Sequence, residues 1–253
     1  MLVAALDTST LTLSCALLEL RDSGIEVLTT RTDRPAGPGG GHGIRLPGAL
    51  TDLLGAVGRS VRDVEGFAIG LGPGSFTGLR IGLATWKGLA YANRRPIAGV
   101  SSLMAMALAA APDASEGALL VPLLDAKKGE VYAGFYRRVG PTEVVALLPD
   151  AALAPAALHA ALAGLPRELE PLAFGEGFEA HQAALAGGVT QLATAVRTPA
   201  APAVGLLAAA ALRCAPYDTR TLSALEPHYV RASEAEVKFP DGLPPVRPGP
   251  PRT

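Results

Sequence analysis

The sequence predicts an α/β protein of two similar lobes, each a mixed β-sheet flanked by helices. Three observations carry that prediction. Strand-length apolar runs open each half of the chain, segments with helical spacing follow them, and the order of the two is the same in both halves. At 253 residues with 49% hydrophobic residues, the chain can form two medium lobes sharing a cleft and bury a core without disulfides.

The first half opens with the apolar run Leu2 to Leu6, broken by the small polar set Asp7-Thr8-Ser9-Thr10. Leu13 to Leu18 follows at hairpin distance and Ile25 to Thr32 comes third, so three meandering strands are expected. PAGPGGGHG is too rich in glycine and proline for regular structure. From Ile44 to Val57, Leu46, Leu50, Leu53, Leu54 and Val57 recur at helical spacing. Gly66 to Leu71 reads as a short buried strand, Thr77 to Asn93 as a long helix and Ile97 to Val100 as a strand. Ser101 and Ser102 can then cap a helix reaching Ala111.

The second half repeats this order. Leu119 to Asp125 and Glu130 to Arg137 read as strands joined by Ala126-Lys127-Lys128-Gly129, with Glu143 to Leu148 as a third strand. Pro155 to Ala163 predicts a helix, Leu172 to Gly175 a strand, Phe178 to Leu185 a helix and Val204 to Cys214 an apolar helix. Two such halves side by side form a cleft, which is the plan of the actin, sugar-kinase and Hsp70-like group with its ribonuclease H-like lobes. The lobes are expected at 1–111 and 112–238, with the last helix packing back on the first lobe. Residues 239–253 are rich in proline and glycine and read as a disordered tail.

The net charge of −1, with no strongly basic stretch, argues against gripping nucleic acid unaided, so a role on RNA would run through a partner. Cys15 and Cys214 sit far apart in apolar segments and read as small buried hydrophobes in a reduced compartment. No basic, apolar leader opens the chain, and the apolar stretch from Pro199 to Leu212 is too short and proline-interrupted to span a bilayer. A soluble cytoplasmic protein is therefore expected.

Three places can carry chemistry. Asp7-Thr8-Ser9-Thr10 can present amides and hydroxyls to a phosphate, with Asp7 orienting a metal or water, or it can simply close a hairpin through Asx-type bonds. The string from Gly70 to Gly82 lets the backbone turn sharply out of a strand, with Ser75 or Thr77 capping the next helix. It serves equally as a structural elbow or as an anion site at a helix start. It matches neither the P-loop nor the dinucleotide fingerprint. The charged hairpin Asp125 to Tyr132 places Asp125 as the counterpart of Asp7, and a solvated turn is its plainer reading. His42, His159, His181 and His228 are scattered without zinc-binding spacing, and His42, in a glycine loop, reads as solvated.

LDTST, GPGSFTGLRIGLATWKGLA, GVSSL and DAKKGEVYAGFY, in this order, closely resemble the bacterial TsaB (YeaZ) family. EPHYVRASEAE looks like the P-x-Y-x-R ending of that family, with Pro227, Tyr229, Arg231 and Glu234 in place. The resemblance implies the two-lobed fold and pairing with a catalytic paralogue, TsaD. With the ATPase TsaE and the product of TsaC, the pair completes threonylcarbamoylation of adenosine 37 in tRNA, which docks mainly on the partner. It implies no tightly bound cofactor, with ATP or ADP at the interface with TsaD, and pairing with TsaD or with a second copy as a homodimer, leaving monomer and homodimer both open for the chain alone. TsaD-like proteins carry an H-x-x-x-H metal motif, whose histidines map here onto Ser102 and Met106, neither suited to that metal. A non-catalytic scaffold is thus expected. The candidate nucleotide or anion residues are Asp7, Thr8, Ser9, Gly74, Ser75 and Thr77. The candidate partner contacts are Leu46, Leu50, Leu53, Leu79, Arg80, Leu83, Trp86 and Lys87. Departures from the family pattern stand at Gly43, Trp86 and Met104. The alternatives are a metallopeptidase-like enzyme, a nucleotide phosphohydrolase using Asp7, and a self-sufficient homodimeric binding protein.

Overall fold

The computed structural model describes residues 1–35 and 41–231. Most of the PAGPGGGHG stretch, Glu234 and the tail from 239 lie outside these. Strands β1 (Leu2–Asp7), β2 (Leu13–Arg21) and β3 (Gly24–Asp33) form the expected meander. Helix α1 (His42–Ala56), β4 (Gly66–Gly70), α2 (Phe76–Asn93), β5 (Ile97–Val100) and α3 (Ser102–Ala110) complete the first half. The second half runs β6 (Leu119–Lys127), β7 (Glu130–Gly140), β8 (Glu143–Leu153), α4 (Pro155–Ala163), β9 (Pro171–Phe174) and α5 (Glu176–Leu185). It ends with β10 (Thr190–Gln191), α6 (Ala201–Cys214) and α7 (Thr219–Ala224).

The sheets have orders β3-β2-β1-β4-β5 and β10-β9-β6-β7-β8, the same plan read from opposite edges. In each, the first three strands are antiparallel and the later ones join the first in parallel, as the two-lobed ribonuclease H-like class requires. β1 is buried along its whole length because both faces of the sheet are covered. Leu2, Ala4 and Leu6 meet Leu46, Leu50, Leu83 and Trp86 of α1 and α2, while Val3 and Ala5 meet the helices between the sheets. That middle layer joins Val3 and Ala68 of the first sheet to Leu120, Leu124 and Phe174 of the second through α3 and α6. Leu119, Val121 and Leu123 face outward onto Leu158, Phe178 and Leu185 of α4 and α5.

Each half lends a helix to the other's sheet. α6 packs on β1, β2, β4 and β5, whereas α3 lies against β6, β7 and β8. α3, which a boundary at 111 groups with the first lobe, packs on the second sheet and also bonds Asp7 and Gly72 of the first half through Ser102. α3 is apolar on every side (Leu103, Ala105, Met106, Ala107 and Leu108 are all buried), so it serves both. Cys15 is buried, and desolvation pushes its thiol up to about 12, so it is an inert hydrophobe. Cys214 departs from expectation: it is exposed at the end of α6. Among the described residues no helix is long and apolar enough to cross a membrane.

Candidate functional site

The turn after β1 and the glycine loop after β4 meet at the cleft and lock together. Asp7 is buried, and its Oδ1 accepts hydrogen bonds from Ser9 N (2.8 Å) and Ser9 Oγ (2.6 Å). Its Oδ2 accepts one from Ser102 Oγ at 2.6 Å. Desolvation pushes the Asp7 carboxyl above its ordinary range, and the bonds from Ser102 and Ser9 pull it back in part. Ser102 Oγ also accepts from Gly72 N (3.0 Å), so one hydroxyl ties β1, the glycine loop and α3 together. Thr8 donates to Gly78 O at 2.9 Å, and Ser75 N donates to Ser9 O at 2.6 Å. A Cβ at Gly70 would overlap the Asp7 carboxylate, at Gly74 the Ser9 carbonyl, at Gly78 the Thr8 carbonyl and at Gly82 the Thr8 hydroxyl. The two loops therefore fill the space in which an anion between them would sit, and the Asx-type hairpin closure is the arrangement present.

His42 is not solvated as expected. It starts α1 and is buried, with Nε2 2.7 Å from Thr10 O, and desolvation lowers its pKa. No glycine-loop signal could show this, because the partner is a backbone carbonyl 32 residues away.

In front of the locked loops lies a cavity of about 800 Å³ between the lobes. Ser9, Gly74 and Ser75 of the expected nucleotide residues line it; Asp7 and Thr8 are sealed behind, and exposed Thr77 is not on its wall. Ser75 caps α2 by accepting from Gly78 N at 3.2 Å. The opposite wall is the charged hairpin. Burial works against the Asp125 carboxylate, yet hydrogen bonds from Lys127 Nζ (2.6 Å) and Lys127 N (2.8 Å) hold it below its ordinary range. Asp125 thus differs from Asp7, which is fully enclosed and raised. Glu176 at the start of α5 also faces the cavity, and burial raises its carboxyl.

Residues after α7, whose pattern carries no sign of where they pack, line the mouth of the cavity. His228 N donates to Leu71 O (2.7 Å), and Tyr229 stacks on Phe76 with ring centroids 5.3 Å apart. The Arg80 guanidinium lies 4.0 Å above the Phe76 ring and donates to Tyr229 Oη at 3.0 Å. Arg231 reaches the second lobe, at 3.2 Å from both Ala126 O and Glu130. A buried knot adds a second tie across the lobes. Ser101 Oγ donates to Asp150 at 2.6 Å, and Tyr136 Oη hydrogen-bonds the other carboxylate oxygen.

The expected partner residues divide sharply. Leu46, Leu50, Leu53, Leu79, Leu83 and Trp86 lie in the core, so they do not form a contact surface. Trp86 donates Nε1–H to Ala4 O at 3.1 Å and meets Phe67 edge to face. Arg80 and Lys87 face outward but bond the C-terminal segment, at Tyr229 and Ser223 O. What α1 and α2 do expose includes Ile44 (81% exposed), Tyr91 (63%), and the small residues Gly48, Gly55, Ala84 and Gly88. Exposed Gly43 and half-buried Met104 are the other departures. Ser102 and Met106 are both fully buried. Among the described residues no three or more His, Cys, Asp or Glu side chains converge as a metal site.

Duplicated sheet topology and a cleft whose loops are sealed define the class: a two-lobed ribonuclease H-like protein with a closed cradle. The sequence model of the family described as "TsaD: tRNA N6-adenosine threonylcarbamoyltransferase" matches residues 35–239. A Bacillus subtilis protein named tRNA threonylcarbamoyladenosine biosynthesis protein TsaB is 35% identical over 137 residues, 54% of this chain and 56% of its own length. Its Escherichia coli namesake is 41% identical over 97 residues, 38% of this chain and 42% of its own. The alignments thus span about half the length of these relatives. The solved structure of YeaZ from Pseudomonas aeruginosa superposes with a TM-score of 0.72 at 26% identity, covering 90% of this chain and 99% of that one. The chain belongs to the TsaD family and, within it, to the TsaB (YeaZ) group.

Proposed function

We propose that this protein is the non-catalytic subunit of the machinery that makes threonylcarbamoyladenosine on tRNA, pairing with and supporting the catalytic paralogue TsaD, with TsaE as the accompanying ATPase. The observation that carries the reading is Ser102. At the position where the resemblance places the first metal histidine, its hydroxyl is spent on two buried bonds, to Asp7 and from Gly72. Met106, at the second, is packed in the shared core. These groups brace the fold instead of presenting ligands to substrate. The pairing surface is assigned to the outer side of α1 and α2, where Ile44 stands exposed beside small residues that allow close backbone approach.

The test is threonylcarbamoyladenosine formation with cognate TsaC, TsaD and TsaE, with and without this chain. Product is expected only when it is present. Ser102→Ala, assayed at a temperature where circular dichroism shows it folded, retains activity, whereas Ile44→Glu leaves the fold intact and abolishes stimulation. Equal product without the chain would refute the reading.

A further inference from the structure

We propose that the cavity between the lobes is a peptide site, and that its occupant is the segment Ser233 to Val237 of this same chain. Residues 232–253 lie outside those described, and the chain reaches that limit while it is on the cavity wall. His228, Tyr229, Val230 and Arg231, four residues in succession, all line the cavity. Both lobes hold them: His228 N bonds Leu71 O at 2.7 Å, Tyr229 stacks on Phe76, and Arg231 bonds Ala126 O at 3.2 Å. The next residues therefore begin against the wall. Extended, Ala232 to Val237 span about 20 Å, more than a compact cavity of about 800 Å³ measures across.

The walls match the chemistry of that segment. Four cations line the cavity, Arg34, Lys127, Lys128 and Arg231, against two carboxylates, Asp125 and Glu176. Lys127 bonds Asp125, yet its side chain is 80% exposed and an ammonium has three donors, so a second carboxylate can join it. An excess of positive charge between the lobes favours an acidic occupant. On the first-lobe side Leu11 is 73% exposed, and Phe76 is 41% exposed even with Tyr229 against it. Both gain from an apolar cover.

Ser233-Glu234-Ala235-Glu236-Val237 alternates acidic and apolar side chains. An extended backbone turns Ala235 and Val237 to one side and Glu234 and Glu236 to the other, which suits a cavity with an apolar and a cationic wall. Charge is also ordered along residues 232–253. The two carboxylates nearest Arg231 are Glu234 and Glu236, and the cations Lys238, Arg247 and Arg252 all lie beyond them. The tether decides between this segment and a separate acidic peptide: a site a few residues away sees its own chain at an effective concentration in the millimolar range. So docked, the segment keeps the space in front of the sealed turn closed until it is displaced.

The experiment is disulfide trapping in the full chain, so its failure leaves the partnership with TsaD untouched. Cys214→Ser removes the exposed thiol, and buried Cys15, with its thiol pushed up to about 12, stays silent. Ala235→Cys is combined with Leu11→Cys on the wall or, for comparison, with Thr77→Cys. Thr77 is exposed next to Phe76 but off the wall, and its place at the start of α2 makes a thiol there the more reactive of the two. The bond within one chain is nevertheless expected to form roughly tenfold faster at Leu11, because docking concentrates the segment there. Adding Glu234→Lys and Glu236→Lys slows it roughly tenfold, as turning attraction into repulsion at two partly exposed ion pairs does. Lysines beside a thiol favour its reactive form, so slowing reports lost docking and not altered reactivity. The proposal is overturned by equal rates at Leu11 and Thr77, or by a rate at Leu11 that charge reversal leaves unchanged. A bond that links two chains also overturns it, since the cavity would then belong to a second copy.

Discussion

Replacing Ser102 by alanine removes one hydroxyl that serves two buried groups. Asp7 Oδ2 loses a donor at 2.6 Å, and Gly72 N loses an acceptor at 3.0 Å. A hydrogen bond to a charged group contributes about 1.5–3 kcal/mol, and a buried donor left unsatisfied costs about 1–3 kcal/mol. Taking values near the low end of each range gives about 3 kcal/mol, which for a chain of this size lowers the melting temperature by about 6–12 °C. The cost depends on pH through Asp7. Burial holds its folded-state pKa above the ordinary carboxylate value, so the folded protein binds that proton more tightly than the unfolded chain. The stability so contributed is fully present below the unfolded value and is lost as pH rises through the folded one. Ser102 favours the charged form, so removing it raises the folded value further and deepens the loss. Urea unfolding followed by circular dichroism should therefore show a larger destabilisation at about pH 7 than at about pH 4. An unchanged midpoint, or the same shift at both pH values, would show that Ser102 is not a brace on ionised Asp7.

Two glycines of neighbouring sequence should respond with opposite signs. Gly74→Ala drives a methyl into the Ser9 carbonyl, backbone that cannot swing aside, and should cost about 2–3 kcal/mol in chemical denaturation. Gly88→Ala, on the exposed side of α2 with nothing within 4 Å of its Cβ position, should stabilise by about 0.5–1 kcal/mol in the same assay. Trp86→Phe keeps an aromatic ring against Phe67 but loses the bond to Ala4 O, and thermal unfolding should report a loss of about 2 kcal/mol.

The strands that form the core of each sheet were legible because full burial writes an unbroken apolar run, as in Leu2 to Leu6 and Leu119 to Leu124. β10 was not legible. Thr190 and Gln191 are exposed and carry no alternation, and they pair only because β9 offers a parallel edge. Periodicity placed Leu46, Leu50 and Leu53 on one helical face without saying what that face meets, and the structure turns it onto β2 and the core. The opposite face, with Gly48, Thr51 and Gly55, offers a single large apolar residue, Ile44, too little for a periodic signal. The exchange of α3 and α6 between sheets was hidden for a related reason: a helix apolar all round gives no moment to point it. The candidate cavity was only half visible, because the wall from His228 to Arg231 arrives from more than 100 residues away, by contacts such as Arg231 with Ala126.

The glycine string is the feature whose meaning changes most. Gly70, Gly74, Gly78 and Gly82 recur every four residues, and each lacks the Cβ that would strike the turn at Asp7, Thr8 or Ser9. On α2, residues four apart share one face, so Gly78 and Gly82 give the helix a smooth edge against Thr8, while Gly70 and Gly74 do the same for the strand end and loop before it. Close approach lets Ser75 N reach Ser9 O and Thr8 reach Gly78 O, and those bonds occupy the groups that would otherwise greet a phosphate. The same glycines that open a loop to a ligand can thus close it on its own chain. Substitutions there should act through stability, and chemistry in this cleft, where it occurs, belongs to the residues in front of the seal.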